Sequence, residues 1–494
     1  MFRPTLILMS GRIMSFAATF FIPVALVRIF SPSEFGAYKQ VFLVYGTLYG
    51  IAQLGMAESL FYFLPRDPHK GGRYVLNSIL ILLIAGLACL GLLVKESSRI
   101  SVLLNNSSLT QYIPLLGVYL LLMIASATLE IVMISRKQYP WAAFSYALSD
   151  LLRAALLIAP AFLFRDLHWL LLCAVAFAMI RFGASLFYFH RQFGEEFKLD
   201  TQLLRKQLSY ALPFEMAVLV EILQSNFHQY AVSHYFNAAT FAIYSVGCLQ
   251  IPLIDFLGAP ASNVMMVHMS EEIRDGRGGG VITIWHETTR KLALVFYPLF
   301  GLLVITARDL ITFLFTDKYA ASIPIFMVWS TSILLATMQT DGVLRVYAKT
   351  RFIFAMNAFR LLIIAGLIYV CLSAFGLLGA VMVTILALGL GKGLALIRIK
   401  GLMKVRASQL LPWRSLASIG GVAFAASLIA LGVHSTLELA PLFRLLVAGL
   451  VFAVSYFGLL LRFGLLSDGE RLALTSWLQR FNTDVSGVEE IQSS

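Results

Sequence analysis

Phe30-Ser-Pro-Ser-Glu-Phe-Gly-Ala-Tyr38 and Phe236-Asn-Ala-Ala-Thr-Phe-Ala-Ile-Tyr244 carry three aromatic residues in one register, at a constant offset of 206 positions. Each stretch joins two long apolar runs, so the pair reads as the same turn in two copies of a helical repeat. A weaker echo follows at similar spacing. Tyr112-Ile113-Pro114 opens one later run as Ser322-Ile323-Pro324 opens another, and Arg136 and Lys137 close the first as Lys349 and Arg351 close the second.

Working outward from the turns, apolar runs fill the chain. Its 494 residues are 59% hydrophobic and 13% charged, with mean hydropathy +0.82, far from the quarter or so of charged residues in a water-soluble chain. A helix needs roughly 20 apolar residues to cross about 30 Å of hydrocarbon while satisfying its own backbone. The runs that qualify predict fourteen spans, near 5–29, 37–63, 74–94, 112–134, 141–164, 167–190, 208–233, 240–267, 291–307, 323–342, 352–374, 377–397, 415–433 and 441–462. The fold class expected is an all-α polytopic membrane protein with two six-helix lobes, residues 1–200 and 201–406. Helices 13 and 14 (407–464) have no counterpart in the repeat, and 465–494 form a tail. Six is even, so the two copies enter the membrane from one side and form a parallel repeat.

Charge gives the orientation. The net charge of +12 and pI of about 9.5 do not mark a nucleic-acid binder, because the bases are scattered between apolar segments. Of the 38 Lys and Arg, 25 fall in loops on the side of the N-terminus, 8 on the opposite side and 5 inside spans. The positive-inside rule then places both termini in the cytoplasm, in the cell's inner membrane. The run from Thr5 to Ile29 is longer than a signal-peptide core, lacks a small-residue cleavage pattern and is read as a span. Cys89, Cys173, Cys248 and Cys371 all sit in apolar runs without CxxC or His partners and read as packing residues, so no metal and no disulfide is expected.

Several segments resemble the polysaccharide-transport branch of the multidrug/oligosaccharidyl-lipid/polysaccharide (MOP) exporter superfamily, which includes Wzx-type O-antigen flippases. They are FSPSEFGAYKQVF (30–42), LSYALPFEMAVL (208–219) followed by FAIYSVG (241–247), ARDLITFLFTDKYAASIPIF (307–326) and AFGLLGAVMVT (374–384). They cover both lobes in the family's order. The resemblance implies a V-shaped MATE-like bundle that flips an undecaprenyl-diphosphate-linked oligosaccharide for O-antigen, capsule or exopolysaccharide synthesis. Where many relatives carry an acidic-basic pair late in helix 7, this chain has His228 and Gln229.

A diphosphate and a sugar cannot cross hydrocarbon unaided, so such a protein needs buried cations and polar or aromatic groups. Charges inside spans are rare and mark candidate sites. Arg12 and Arg360 lie about 12 Å from the cytoplasmic ends of helices 1 and 11 at 1.5 Å per residue. With Arg181 and Lys392 they give four cations, two per lobe, as candidates for the diphosphate; the competing reading is that these long side chains snorkel back to the headgroups. Asp150 and Arg153, three apart in helix 5, read as a structural ion pair. Glu58, Glu130, Glu221 and Asp341 are candidates for coupling to H+ or Na+, or for counter-ions to nearby arginines. Glu221, Gln224, Ser225 and His228 are read as one polar face of helix 7. Tyr45, Tyr49 and Gln53, on a stripe with Tyr38 and Phe42, are candidates for sugar contact along with His228, although such stripes also serve packing.

No HExxH, GxSxG or DxD pattern occurs, and the run around Lys392 is not a phosphate loop. No catalytic residue and no cofactor is expected, so the chain reads as a transporter and not an enzyme. The partners expected are the lipid-linked oligosaccharide, membrane lipid, and a polymerase and glycosyltransferases of the same synthesis. The alternatives are a multidrug/cation antiporter of the same superfamily and a membrane-embedded polysaccharide polymerase or ligase. The polymerase reading suffers because the longest outer connection, from about Lys95 to Gln111, is short.

Overall fold

The computed structural model describes residues 2–276, 278–436, 440–466 and 470, and among these the regular structure is helical throughout. The expected tail lies almost entirely outside the described residues. In chain order the helices are α1 (Phe2–Ile29), α2 (Pro32–Ala52), α3 (Met56–Arg66), α4 (Gly71–Lys95), α5 (Ser97–Leu103), α6 (Ile113–Ala125) and α7 (Leu129–Ser135). There follow α8 (Tyr139–Phe164), α9 (Leu167–Phe193), α10 (Thr201–Tyr235), α11 (Ala238–Gly247), α12 (Pro252–Arg274), α13 (Gly278–Ile305) and α14 (Ala307–Phe315). The last are α15 (Ile323–Ser330), α16 (Ser332–Ala336), α17 (Thr340–Val346), α18 (Thr350–Met403), α19 (Ala407–Leu410), α20 (Trp413–Thr436) and α21 (Pro441–Arg462).

Ten spans among the described residues are long and apolar enough to cross a membrane, or eleven when α11 and α12, bent by 50°, count as one. The protein is a multi-pass membrane protein. Fourteen were expected from the sequence, and the difference has physical causes. The 54-residue α18 counts once, yet Gly376 (φ 57°, ψ −140°) breaks it at the junction expected between helices 11 and 12. Expected helices 2 and 7 form as α2–α3 and α10, and polar residues such as Glu58, Glu215, Glu221 and Gln224 dilute their apolar character.

Helix 2 is not continuous as its hydropathy suggested. Leu54 (φ 51°) and Gly55 (φ 65°) both turn left-handed and separate α2 from α3. Glycine is needed at position 55 for a second reason, since a Cβ there would stand 3.1 Å from the Ala211 carbonyl of α10. Expected helix 10 is likewise interrupted, by Gln339 at φ 29° before α17.

The chain divides into two compact units. The larger comprises Met1–Leu249, Leu314–Trp329 and Thr350–Gly391. Within it the two copies of the repeated turn meet. Ser31 and Glu34 form a capping box at the start of α2, and Asn237 caps α11 by accepting from the Thr240 N–H at 2.9 Å. The two helices then cross so closely that a Cβ on Gly36 would overlap the Ala238 carbonyl. Phe35, Tyr38, Phe241 and Tyr244, the aromatics that reveal the repeat, are all buried. Beside them the fully buried Gln40 amide donates to the Leu104 carbonyl and the Ser233 hydroxyl, both at 2.8 Å, and accepts from Asn106 at 2.7 Å. One side chain thus joins α2, the 104–106 loop and α10.

The smaller unit comprises Gln250–Phe313, Ser330–Lys349 and Lys392–Ser494. Its core packs Val422, Ala426 and Ala430 of α20 against Phe452 and Tyr456 of α21, with Leu294 and Tyr297 of α13 beside them. The Tyr456 hydroxyl donates to the Leu294 carbonyl at 2.9 Å. At one end Asp309, 1% exposed, is held by Arg444 at 2.7 Å and by a hydrogen bond to His434. At the other, Arg290 grips both carboxylate oxygens of Glu470 at 2.9 and 2.7 Å.

Candidate functional site

A set of neighbouring charges inside spans lies in the larger unit, on helices α1, α7, α8 and α9. It begins with a close crossing of α1 and α8, where a Cβ on Gly11 would come within 2.5 Å of the Ala143 carbonyl. That approach lets short side chains of α1 reach across. Ser15 donates to the Asp150 carboxylate, and Thr19 accepts from Arg153 at 2.8 Å. Asp150 and Arg153 also pair with each other at 2.9 Å, as their spacing suggested.

One turn away, Arg181 of α9 pairs with Glu130 of α7 at 2.7 Å and donates to Ser149 of α8 at 2.7 Å. Glu130 also accepts from Ser145 at 2.9 Å. Both members are buried, at 12% and 4% side-chain exposure, so Glu130 is the counter-ion of Arg181 here. Arg12 stands apart in character. It is exposed, lies 5.5 Å over the Tyr146 ring, and has no carboxylate partner among the described residues. Arg12 and Arg181 both act on Tyr146, which places them in one cluster.

The aromatic stripe adjoins this cluster. Tyr45 and Tyr49 stack at 5.5 Å, and Tyr45 lies 5.0 Å from Tyr119. Tyr45 and Tyr119 are the electrostatic neighbours of Arg153. The Nε atoms of Arg153 and Arg181 are buried without a hydrogen-bond partner among the described residues. Buried donors left this way are costly and are found where a ligand or water completes them. The cluster totals three guanidinium groups against two carboxylates.

Other candidates have separate surroundings. Arg360, 5% exposed, donates to Asn357 at 3.3 Å and lies against Gly391, where a Cβ would collide with it. Lys392 contacts Thr340 at 3.0 Å and Asp341 at 4.0 Å in the smaller unit. The polar face expected on α10 divides in two: Gln224 and His228 are buried, Glu221 and Ser225 exposed. His228 is enclosed, bonded through Nδ1 to the Tyr244 hydroxyl at 2.6 Å with the Trp329 ring 5.4 Å away. Gln53 ends α2 at the break, and Glu58 is exposed on the first turn of α3. The four cysteines are unbridged, and no group suited to a metal ion occurs among the described residues.

Sequence reasoning missed Tyr119, Tyr146, Ser145 and Ser149. The signal existed on α8, where Ser145, Tyr146, Ser149, Asp150 and Arg153 recur at helical spacing. Glu215 was also missed, although it stands inside the LSYALPFEMAVL segment.

Broken and paired helices with charges between them make a polytopic membrane bundle, and solved structures share this fold. The chain is similar to the lipid II flippase MurJ in an inward closed conformation, with TM-score 0.67 and 13% identity over 90% of this chain and 98% of that one. It is similar to an inward-facing multidrug resistance MATE family transporter of the MOP superfamily, with TM-score 0.60 and 15% identity over 80% and 96%. A MOP superfamily transporter from Pyrococcus furiosus aligns with TM-score 0.54 and 13% identity over 82% and 96%. At these identities the likeness is one of fold. No curated protein sequence matches significantly. The chain belongs to the polysaccharide biosynthesis protein family, whose profile matches residues 25–324.

Proposed function

We propose that the protein is a flippase that moves a diphosphate-linked oligosaccharide on a lipid carrier across the cytoplasmic membrane by alternating access, in the synthesis of a surface polysaccharide. The observation that carries this reading is the cluster around Arg12. It offers an exposed guanidinium without a carboxylate partner among the described residues, backed by two part-buried arginines whose Nε donors are unfilled there and by tyrosines that suit a sugar face. The polysaccharide family supports the substrate class, and the likeness to a lipid II flippase supports a lipid-linked cargo.

The test is reconstitution with a fluorescent polyprenyl-diphosphate oligosaccharide. Each charge-assisted hydrogen bond to phosphate contributes roughly 1.5–3 kcal/mol, so Arg12→Ala should slow flipping on the order of ten- to a hundredfold. Expression and insertion should be unchanged, and Arg12→Lys should restore part of the rate because it cannot grip bidentately. Normal flipping by Arg12→Ala would overturn the assignment.

A further inference from the structure

One buried carboxylate is unused by the cluster above. Glu215 of α10 is 6% exposed, with one oxygen beside the Gly55 backbone, 3.4 Å from where a Cβ would stand, and the other without a hydrogen-bond partner among the described residues. Gly55 is the N-cap of α3 and brings no capping side chain; the Met56 N–H is already taken by the Gln53 carbonyl at 2.9 Å, and the Gly55 N–H is the backbone donor that faces the Glu215 carboxylate. A carboxylate held at this end opposes the positive end of the helix dipole. Glu58, on the first turn of the same helix and exposed, acts on Glu215 electrostatically.

Several titratable groups on helices packed against α10 are engaged elsewhere, among them Lys39 of α2, 5.6 Å over the Phe35 ring, and Tyr45 and Tyr49, stacked on each other. Arg66 stacks 3.7 Å over Tyr62, which stacks on Tyr210; Tyr74 stacks on Phe63; and Arg73 pairs with Asp200. Tyr244 of α11 bonds to His228, and Arg99 of α5 pairs with Glu96.

We propose that Glu215 is the proton-binding site that couples transport to a pH gradient, with Glu58 as its link to water, and that its charge state sets the break between α2 and α3. The inference rests on the transporter reading above. In the charged form the Glu215 carboxylate caps α3 and pins α10 to Gly55. A proton arriving from water through Glu58 converts it to a neutral acid, weakens the cap and removes the repulsion between the two carboxylates. Loss of the proton to water restores the contact. Two left-handed residues in succession, Leu54 and Gly55, make this the point in helix 2 where a small change of contact alters its course.

Two measurements test this on the full-length protein. In detergent, amide hydrogen exchange of residues 53–58, corrected for intrinsic rate, should rise as pH falls in the wild type. Glu215→Gln should show the raised exchange at every pH. In vesicles holding the fluorescent diphosphate substrate, Glu215→Gln should show no stimulation by an imposed pH gradient, measured against its own rate without one. Glu215→Asp should retain part of the stimulation. Exchange in this segment that ignores pH, or that responds equally in Glu215→Gln, would overturn the proposal. So would gradient stimulation that survives in Glu215→Gln. Absence of flipping by the wild type would instead refute the proposed function, and the exchange experiment would still decide the role of Glu215.

Discussion

Replacing Glu130 separates a structural ion pair from a substrate-binding arginine. Arg181 and Glu130 are 12% and 4% exposed and 2.7 Å apart, and Arg181 has only Ser149 as its other partner, with Nε already unfilled. Glu130→Leu leaves a buried guanidinium with one hydroxyl acceptor. Breaking a buried pair in this way costs about 3–5 kcal/mol, because the remaining charge is uncompensated. At roughly 2 cal/mol/K of unfolding entropy per residue, a chain of this size shifts about one degree per kcal/mol, so Tm should fall by ~3–5 °C. Removing both charges, as Glu130→Leu with Arg181→Met, should return Tm to near wild type, because the apolar pair has nothing left to neutralise. The assay is thermal unfolding of the purified protein in detergent, followed by tryptophan fluorescence. A single variant with unchanged Tm, or a double variant as unstable as the single one, would refute the argument.

Two further outcomes follow from other parts of the fold. Gly36→Val should keep α2 and α11 from packing closely, so a cysteine at Ala238 in a background lacking the four native cysteines should react several-fold faster with a maleimide in detergent; unchanged labelling would mean that this crossing does not bury position 238. Asp200, outside the spans, accepts from the N–H groups of Leu203 and Gln202 and from Arg73, all at 3.1 Å, and these bonds, led by Leu203, hold its carboxyl below the usual range. Its stabilising contribution is present above the unfolded carboxyl value and is lost as pH falls through the lowered native one. The Tm gap between wild type and Asp200→Ala should therefore be widest at neutral pH and close in acid, and a gap independent of pH would count against the cap.

Hydropathy and the repeated aromatics were enough to expose the helices and the turns, because burial in lipid writes itself into long apolar runs. The breaks were not legible. Leu54 and Gln339 turn left-handed without a glycine or proline of their own to signal it, and nothing in an apolar run distinguishes a straight span from a bent one. Within the site, Asp150 and Arg153 were readable because their partnership is local. Glu130 and Arg181 are 51 residues apart, so the sequence offered two charges and could not say that they face each other. Glu215 was hidden for the same reason: its importance comes from Gly55, 160 positions earlier.

The last two helices, α20 and α21, are fastened at both ends. Arg444 pairs with Asp309 at the start of α14 and His434 hydrogen-bonds to it, while Glu470, just past α21, closes on Arg290 of α13. Cutting the chain before α20 would strand a fully buried aspartate with its arginine and its histidine partner both gone. Asp309 thus ties the seating of α20 and α21 to that of α14, and only a neutral residue at position 309 would let that pair of helices leave without an orphaned charge.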